Sequence, residues 1–397
     1  MVSSTDAYWT PLYARHFLGE GHEVRVFSMT PEPLRDEHVD VVHLCGDRPP
    51  RVPAAAWFLA QVPRLRRLLR AFSPDVVFAT YMSSNGTAAA LAWGGPLVVS
   101  GHGGDILHQL GRVPGGKVLH RLMMLLQWSR ASVIHVVAEE LVESLRGYGV
   151  APADIVCFPL GIDITPFESF SAAPDTEPLH VVCTRRQEPV YANHVVIEAL
   201  AILRDRGRRL RCTMIGGGPL LSERREQAAR LGLGDCVHFV GQIPVDDVRS
   251  TLATAQIYVS ASTTDGASSS LLEAMMAGAF PVVSRIRGNA RWVRDGTNGL
   301  TFPVGDARAL ADAIEHAMDD RALRHAAVAA NRALVQREGN LHTTMNRTLE
   351  LLDDAVAKSR TRATQGTRWR TKASRNGEDG SRFGAVSAES DAAMRTT

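Results

Sequence analysis

The hydrophobic positions along the first part of the chain alternate between strand-like and helix-like spacing. Short apolar runs such as VDVVHL, PDVVFAT, LVVSGHG and SVIHVVA have the length of buried strands. Between them, VPRLRRLLRAF and LHRLMMLLQWSRA carry apolar residues three or four positions apart, which predicts amphipathic helices. This alternation predicts a parallel β-sheet covered by helices. The opening MVSS is typical of the end of a strand whose beginning is missing.

A second series of the same kind follows the loop PLGIDITPFESFSAAPDTEP. We therefore predict an α/β protein with two Rossmann-like, doubly wound domains facing a central cleft. The predicted parts are an N-terminal domain at 1–165, a C-terminal domain at 166–335, and a helix at 336–358 that packs back towards the N-terminal domain. Residues 359–397 lose hydrophobic periodicity and are rich in Ser, Thr, Gly and Arg, so we predict a disordered basic tail.

Composition narrows the class of protein. The length of 397 residues exceeds what a single core usually supports, and the apolar fraction of 45% suits a soluble globular protein. A net charge of +2 gives no field for nucleic acid, which we exclude as a partner. The five scattered cysteines form no CxxC pair and are expected to be reduced core thiols. With no signal sequence and no long apolar run, we expect a cytoplasmic protein.

Two arginine-bearing amphipathic segments, VPRLRRLLR and VLHRLMMLLQWSR, bear on this location. Arginines beside an apolar helix face suit peripheral contact with the inner face of a membrane. The same pattern also suits helices that simply pack on a sheet. Both interpretations stay open from the sequence.

Loops after several predicted strands carry polar or glycine residues, at the edge where doubly wound sheets bind ligands. In Gly101–Asp105, the glycines allow a ligand to approach the backbone and His102 can donate to a phosphate or sugar oxygen. A glycine turn with a surface histidine explains the same residues. Arg185 and Arg186 end another strand and suit a diphosphate, although adjacent arginines are also common on surfaces.

Two further loops indicate close contact between ligand and backbone. Gly216 to Gly218 open a helix, but Leu221 stands where the third glycine of G-x-G-x-x-G belongs, so the dinucleotide fingerprint is absent. Backbone groups near Gln242 and Ile243 are placed to recognise the edge of a base.

The stretch STTDGASSSLLEAMMAG predicts a turn followed by a short helix. Ser270 and Glu273 have the spacing of a capping box, and Asp265-Gly266 that of a tight turn. The alternative is a ligand site, because Ser268 to Ser270 begin a helix whose amides and dipole can hold an anion.

In this order, the motifs resemble the GT-B glycosyltransferases of the family 4 type, which are retaining enzymes with nucleotide-sugar donors. The matching segments are GHEVRV, GHGGD, PLGID, RRQEPVY, IGGGP, FVGQIP, the D-x7-E window and RGNARWVRDGTNGLTFPVGD, and they cover roughly residues 1–330. The GT-B fold, with the donor mainly on the C-terminal domain, is what the resemblance implies.

The resemblance implies catalytic roles for three residues. Arg186, with Arg185 beside it, would neutralise the diphosphate; Asp265 would meet hydroxyls of the transferred sugar. His102 would lie across the cleft and support the transition state. The implied donor-binding residues are Arg185, Tyr191, Gly216, Gly217, Gln242, Ile243, Gly266, Ser268, Ser269, Ser270, Leu271 and Glu273, with Glu273 holding the ribose. The acceptor side would include Tyr8, Trp9 and Asp105.

Three departures from the family pattern stand out. Asp265 occupies a position that is usually glutamate, Tyr191 aligns where many members carry lysine, and Asp6 to Thr10 replace a glycine-rich loop. Since no D-x-D motif is present, we expect transfer without a metal and no other cofactor. The expected partners are a nucleotide-sugar donor, with UDP-sugar as the default, and a sugar, lipid or small-molecule acceptor. A non-catalytic sugar-nucleotide-binding protein and a nucleotide-sugar epimerase are the alternatives.

Overall fold

The computed structural model describes residues 1–375, except 6, 8, 31–33, 35, 37, 45, 47–53, 83, 108–115, 152–154 and 267. Tyr8, Cys45 and the segment 376–397 therefore lie outside the described residues. The four described cysteines are free: Cys183 and Cys212 are buried, while Cys157 and Cys236 are half-buried.

The first part of the chain forms a parallel sheet with strand order β3-β2-β1-β4-β5-β6-β7. Its strands are β1 (Val2–Ser3), β2 (Arg25–Ser28), β3 (Asp40–His43), β4 (Val77–Thr80), β5 (Leu97–Gly101), β6 (Val133–Val136) and β7 (Ile155–Cys157). The helices are α1 (Trp9–Gly19), α2 (Ala54–Ala60), α3 (Val62–Phe72), α4 (Asn85–Ala92), α5 (Gly104–Leu107), α6 (Gly116–Arg130) and α7 (Glu139–Gly147).

The second part repeats this plan with strand order β10-β9-β8-β11-β12-β13. Its strands are β8 (Leu179–Cys183), β9 (Leu210–Ile215), β10 (Val237–Gly241), β11 (Ile257–Ser260), β12 (Phe280–Ser284) and β13 (Leu300–Phe302). The helices are α8 (Asn193–Asp205), α9 (Leu221–Arg230), α10 (Val245–Ala253), α11 (Ser269–Ala277), α12 (Arg287–Ala290), α13 (Ala307–Asp319) and α14 (Arg321–Glu338). The predicted fold class of two doubly wound α/β domains is confirmed.

The packing explains why these segments form these elements. Strands β4, β5 and β6 are buried at every position, as the continuous apolar runs predict. Helix α4 consists mostly of small residues and is buried almost throughout, which lets it lie close to the sheet between α3 and α6. Helix α13 begins at a true cap, because the Asp306 carboxylate accepts a hydrogen bond from the amide of Ala309 at 2.9 Å.

The chain passes between the domains twice, and the two passages are bonded to each other. The amide of Ile162 donates to the carbonyl of Gly339 at 2.7 Å, and the amide of Leu341 donates to the carbonyl of Ile162 at 2.8 Å. Gly161 has a φ of +80°, and a Cβ there would lie 2.8 Å from the Gly339 carbonyl oxygen. Glycine is therefore required where the two passages meet.

The last helix, α15 (Leu341–Arg375), returns to the N-terminal domain. Met345, Leu352 and Ala355 join the hydrophobic core of that domain. The helix includes residues 359–375, which differs from the predicted disordered tail. Residues with moderate helix propensity can extend a helix that tertiary packing has already nucleated, even without an apolar pattern of their own.

Candidate functional site

Polar side chains from β8 and β11 converge where the strand order of the second sheet reverses. Arg185 follows β8, and Ser262 and Asp265 follow β11, the neighbouring strand. In doubly wound sheets this reversal point opens a crevice at the carboxyl ends of the strands. The fold therefore brings together residues that lie about eighty positions apart along the chain.

Arg185 lies at the centre of this cluster and is only 8% exposed. Its Nη1 donates to Ser270 Oγ at 2.8 Å, and its Nε and Nη2 donate to Ser262 Oγ at 3.3 and 3.2 Å. The guanidinium also forms an ion pair with the Asp265 carboxylate and lies over the Tyr191 ring, 4.8 Å from its centroid. These contacts fix its orientation before any ligand binds.

Arg186, which the sequence favoured as the main partner of the diphosphate, lies outside this cluster. Its side chain is 68% exposed and pairs with Glu188 Oε1 at 2.9 Å. Consecutive residues of an extended chain point to opposite sides, so only one of two adjacent arginines can enter the cluster. The structure places Arg185 in the cluster and leaves Arg186 exposed, and the catalytic role expected for Arg186 stays a prediction.

Tyr191 stands at the position where many family members carry lysine. Its ring supports the Arg185 guanidinium through a cation–π contact. The position therefore contributes to holding Arg185 and adds no charge of its own.

The glycine run after β9 is explained by a neighbouring segment of the protein. Gly216 and Gly218 have φ values of +127° and +148°. A Cβ on Gly216 would lie 2.7 Å from the Arg185 carbonyl oxygen, and one on Gly218 would lie 2.5 Å from the Gln187 carbonyl oxygen. The carbonyl of Gly217 accepts a hydrogen bond from the Gln187 amide at 2.9 Å. These glycines thus hold the backbone that carries Arg185.

The other predicted base-recognition residues lie beside this glycine run. The side chain of Gln242 is exposed, and its Cβ lies 3.6 Å from the position of a Cβ on Gly217. Ile243 is half-buried against the core beneath α11.

The predicted capping box at the start of α11 is wrong. Ser268 is the cap, because its Oγ accepts from the amide of Leu271 at 3.3 Å. Ser270 lies inside the first turn, where its Oγ binds Arg185 and accepts from the Tyr258 hydroxyl at 3.2 Å. The side chain of Leu271 is fully buried, and its amide donates to the capping Ser268 Oγ. Neither group is free to contact a donor, as the prediction for Leu271 required. The backbones of Ser269 and Ser270 form the first turn of the helix.

Glu273 follows one turn later and is half-buried. Burial raises the pKa of its carboxyl group, and the nearby Arg249 opposes this shift. Arg249, from α10, forms an ion pair with Asp246 at 2.9 Å and lies 5.9 Å from the Phe167 ring centroid. Sequence reasoning missed Arg249, because only the packing of α10 against α11 brings it near Glu273.

Asp105 organises the loop that follows β5. It is 3% exposed, and its Oδ1 accepts from the amides of His102 and Gly103 at 3.0 and 2.8 Å. Its Oδ2 accepts from the amide of Met82 at 2.7 Å. Both carboxylate oxygens of Asp105 thus bind backbone amides, and its expected acceptor-side role stays a prediction.

His102 faces the second domain from this loop. A Cβ on Gly266, next to Asp265, would lie 3.7 Å from the His102 carbonyl oxygen, so the two loops meet across the cleft. The ring of Tyr81 lies against the imidazole with 4.6 Å between centroids, and Tyr81 has a left-handed φ of 67°. Burial lowers the pKa of His102 to about 4, so its imidazole is neutral near pH 7.

Polar contacts between the domains surround this meeting point. Thr264 Oγ1 donates to Glu140, with distances of 3.4 and 3.3 Å to the two carboxylate oxygens. Arg287, from α12, forms an ion pair with Glu143 of α7. The first contact joins helix α7 to the loop that carries Asp265, and the second joins it to helix α12.

The N-terminal aromatic loop is described only in part. Trp9 begins α1 and is half-buried against the core of the first domain. Among the described residues, no group of three or more His, Cys, Asp and Glu side chains is arranged to hold a metal ion. Within the same residues, every helix is too short or too polar to cross a membrane.

Two facing Rossmann-like domains with a polar cluster between them define the GT-B class. The structure is similar to sucrose-phosphate synthase from Thermosynechococcus elongatus, with a TM-score of 0.73 and 18% identity, covering 90% of this chain and 99% of that chain. It is also similar to Anabaena HepE in complex with UDP, with a TM-score of 0.70 and 18% identity, covering 89% and 98%.

The Glycosyltransferase Family 4 model matches residues 12–165, and the model for glycosyl transferases group 1 matches residues 165–334. The chain therefore belongs to the GT-B glycosyltransferases of the family 4 type.

Relatives of known name match parts of the chain. The amylovoran biosynthesis glycosyltransferase AmsK of Erwinia amylovora is 31% identical over 183 residues, which are 45% of each protein. The putative colanic acid biosynthesis glycosyltransferase WcaL of Escherichia coli is 28% identical over 249 residues, or 60% of each. The chain thus matches about half the length of these curated relatives.

Proposed function

We propose that the protein is a retaining glycosyltransferase that moves a sugar from a nucleotide-sugar donor to a hydroxyl acceptor in polysaccharide, glycolipid or glycoside synthesis. The observation that carries this proposal is the cluster at the reversal point of the second sheet, facing His102, in which the buried Arg185 and Ser262 meet the half-buried Ser270 and Asp265. Two named polysaccharide-synthesis relatives support the pathway class, and HepE in complex with UDP or UDP-glucose supports a nucleotide-sugar donor.

In the proposed reaction, the bond between the anomeric carbon and the diphosphate oxygen breaks, and a bond to the acceptor oxygen forms on the same face. The acceptor proton passes to the departing phosphate oxygen. Arg185 and the first-turn amides of α11 meet the charge that develops on the diphosphate. Asp265 binds hydroxyls of the transferred sugar, and Glu273 binds the ribose. This scheme uses no metal.

The proposal is tested by nucleotide binding, since a ligand that binds only the folded protein raises its melting temperature. UDP, GDP and ADP are each added with and without EDTA, and the nucleotide that stabilises the protein selects the sugars for a donor-turnover screen. We expect one nucleotide to stabilise the protein equally with and without EDTA. Stabilisation by none of them would overturn the donor assignment, and loss of the effect in EDTA would overturn metal independence.

Glu273→Gln should stabilise the free protein and weaken nucleotide binding. Because burial raises the pKa of Glu273, its ionised carboxylate destabilises the fold at pH values above the folded pKa. The cost is fully present near pH 8 and disappears as the pH falls below about 4, where the group is protonated in both states. Thermal unfolding at both pH values measures this difference, and titration with the selected nucleotide should show about tenfold weaker binding.

Glu226→Gln is the matched control, because that side chain is 71% exposed on α9. It should change neither the melting temperature at pH 8 nor the affinity for the nucleotide. If Glu273→Gln stabilises the protein but binds the nucleotide as tightly as wild type, Glu273 does not hold the ribose.

We further propose peripheral contact with anionic lipid through the first domain. Helix α6 exposes Val118, Leu119 and Leu122 at 65%, 48% and 58%. Arg66, Arg70 and Arg130 line a basic concavity of about 430 Å³ that also includes Trp93 and lies at the other end of α6, where Arg130 is the last helical residue. None of these three arginines forms an ion pair within the described part of the chain. Basic groups and exposed apolar side chains in the same domain favour contact with an anionic membrane surface.

Co-sedimentation with vesicles tests this contact. The protein should bind vesicles that contain phosphatidylglycerol and not pure phosphatidylcholine, and the combined Arg66→Gln, Arg70→Gln and Arg130→Gln substitutions should weaken binding at least tenfold. The charge-matched control replaces Arg225, Arg230 and Arg285 of the second domain with Gln. Equal losses in the two variants would indicate a net-charge effect and contradict a contact through this surface.

A further inference from the structure

A buried chain of hydrogen bonds leads from the interior of the first domain to His102. His102 Nε2 lies 3.0 Å from Ser100 Oγ, and Ser100 Oγ lies 2.8 Å from His135 Nδ1. His135 Nε2 in turn lies 2.9 Å from the carbonyl oxygen of Phe158. Ser100 and His135 are both 0% exposed and lie opposite each other in the register of β5 and β6.

The carbonyl of Phe158 determines which atom donates in each hydrogen bond of this series. A carbonyl oxygen only accepts, so His135 Nε2 carries the hydrogen of that contact. In a neutral imidazole the other nitrogen is then an acceptor, so His135 Nδ1 accepts the hydroxyl hydrogen of Ser100. The Ser100 oxygen is left to accept, and His102 must donate to it from Nε2. His102 Nδ1 consequently carries a lone pair.

The neutral state of both imidazoles follows from their surroundings. Burial lowers the pKa of His135 to about 3, and burial lowers the pKa of His102 to about 4. The guanidinium of Arg347 lies over the Phe158 ring, 4.7 Å from its centroid, and its positive charge also disfavours protonation of His135. A doubly protonated His135, which would reverse the direction of the chain, is therefore disfavoured near pH 7.

We propose that Ser100 and His135 are positioning residues that hold His102 in its Nε2–H tautomer, so that Nδ1 offers a hydrogen-bond acceptor to the ligand. His102 Nδ1 is buried and has no partner among the described residues. A phosphate oxygen cannot donate to such a nitrogen, whereas a sugar hydroxyl can. His102 thus selects a hydroxyl, which replaces the expectation that it donates to a phosphate or sugar oxygen. This last step rests on the proposed function; the tautomer does not.

The tautomer is measured in the free, full-length protein labelled with ¹⁵N-histidine, through two-bond correlations between the ring nitrogens and ring hydrogens. His102→Gln and His135→Gln spectra assign the two residues. We expect both imidazoles to be Nε2–H in wild type. Ser100→Ala should leave His102 as a mixture of tautomers, and Ser100→Thr, which keeps the hydroxyl, should restore the single form. An Nδ1–H form of His102 in wild type, or a single Nε2–H form in Ser100→Ala, would overturn the proposal.

A second arm tests the hydroxyl separately. The nucleoside diphosphate alone should leave the His102 Nδ1 resonance unchanged, and the matching nucleotide-sugar should shift it. Ser100→Ala should lower kcat for donor turnover about tenfold with KM within about twofold, and Ser100→Thr should recover most of the rate. A shift with the diphosphate alone would contradict hydroxyl selection. If no nucleotide binds while the tautomers are as expected, the proposed function fails and the positioning role stands.

Discussion

Arg185→Lys is expected to reduce glycosyl transfer by about 10²-fold or more, while Arg186→Lys changes it by less than about twofold. Lysine keeps the positive charge, so the half-buried Asp265 carboxylate still has a cation beside it. A single ammonium cannot, however, reproduce the planar fork that contacts Ser262, Ser270 and Asp265 together. Loss of one preorganised group that stabilises charge in the transition state typically costs 10²- to 10³-fold.

The two arginines form a matched pair, because they are adjacent and undergo the same substitution. Steady-state turnover of the donor selected by the nucleotide screen measures the effect, and thermal unfolding confirms that both variants remain folded. A larger loss in Arg186→Lys than in Arg185→Lys would return the leading role to Arg186. Asp265→Ala is a poorer test, since it leaves the Arg185 guanidinium, with a side chain only 9% exposed, without its carboxylate.

Gly288→Ala is expected to lower both stability and activity, although residue 288 lies on α12, outside the predicted site. A Cβ on Gly288 would collide with the Asp265 carbonyl oxygen and would lie 3.5 Å from that of Gly266. The loop must move, because an atom cannot approach a backbone oxygen so closely. Overpacking of this kind costs about 1 to 3 kcal/mol of unfolding free energy. Displacing Asp265 by about 1 Å should cost a further factor of about 10² in transfer.

Gly234→Ala provides the control for this substitution. Gly234 lies in the same domain, and a Cβ there meets no atom within 4 Å. Chemical denaturation and donor turnover of the two variants should therefore separate a local collision from a general effect of adding a methyl group. A Gly288→Ala protein with wild-type stability and turnover would show that the Asp265 loop does not depend on this close approach.

The elements and the crevice were predictable, because they depend on local pattern and on the geometry of parallel sheets. Apolar runs of strand length, alternating with helical spacing, are sufficient to predict two doubly wound domains. Loops after the strands must then meet at one edge of each sheet. For that reason His102, Arg185 and Asp265 could be placed near a common cleft from sequence alone.

The direction of individual side chains was not predictable, because it depends on tertiary packing. The sequence does not distinguish Arg185 from Arg186, since the choice depends on which side of the extended backbone faces β11. Ser262, Arg249 and Gly288 carry no local signal, because each is recognised only through a contact with a segment distant in sequence. The cap of α11 was misplaced by two residues, since three consecutive serines offer equally good caps by sequence.

The paired passages at Gly161 and Gly339 determine how the cleft can open. Because the two strands of chain are hydrogen-bonded to each other, the domains cannot slide apart there, and the available motion is a hinge rotation about this point. Rotation separates two contacts: the part-buried hydrogen bond from Thr264 to Glu140, and the exposed ion pair between Arg287 and Glu143, which is worth about 0 to 1 kcal/mol. These two contacts hold the closed arrangement only weakly, and we expect a ligand that touches both domains to supply most of the free energy that keeps the cleft closed.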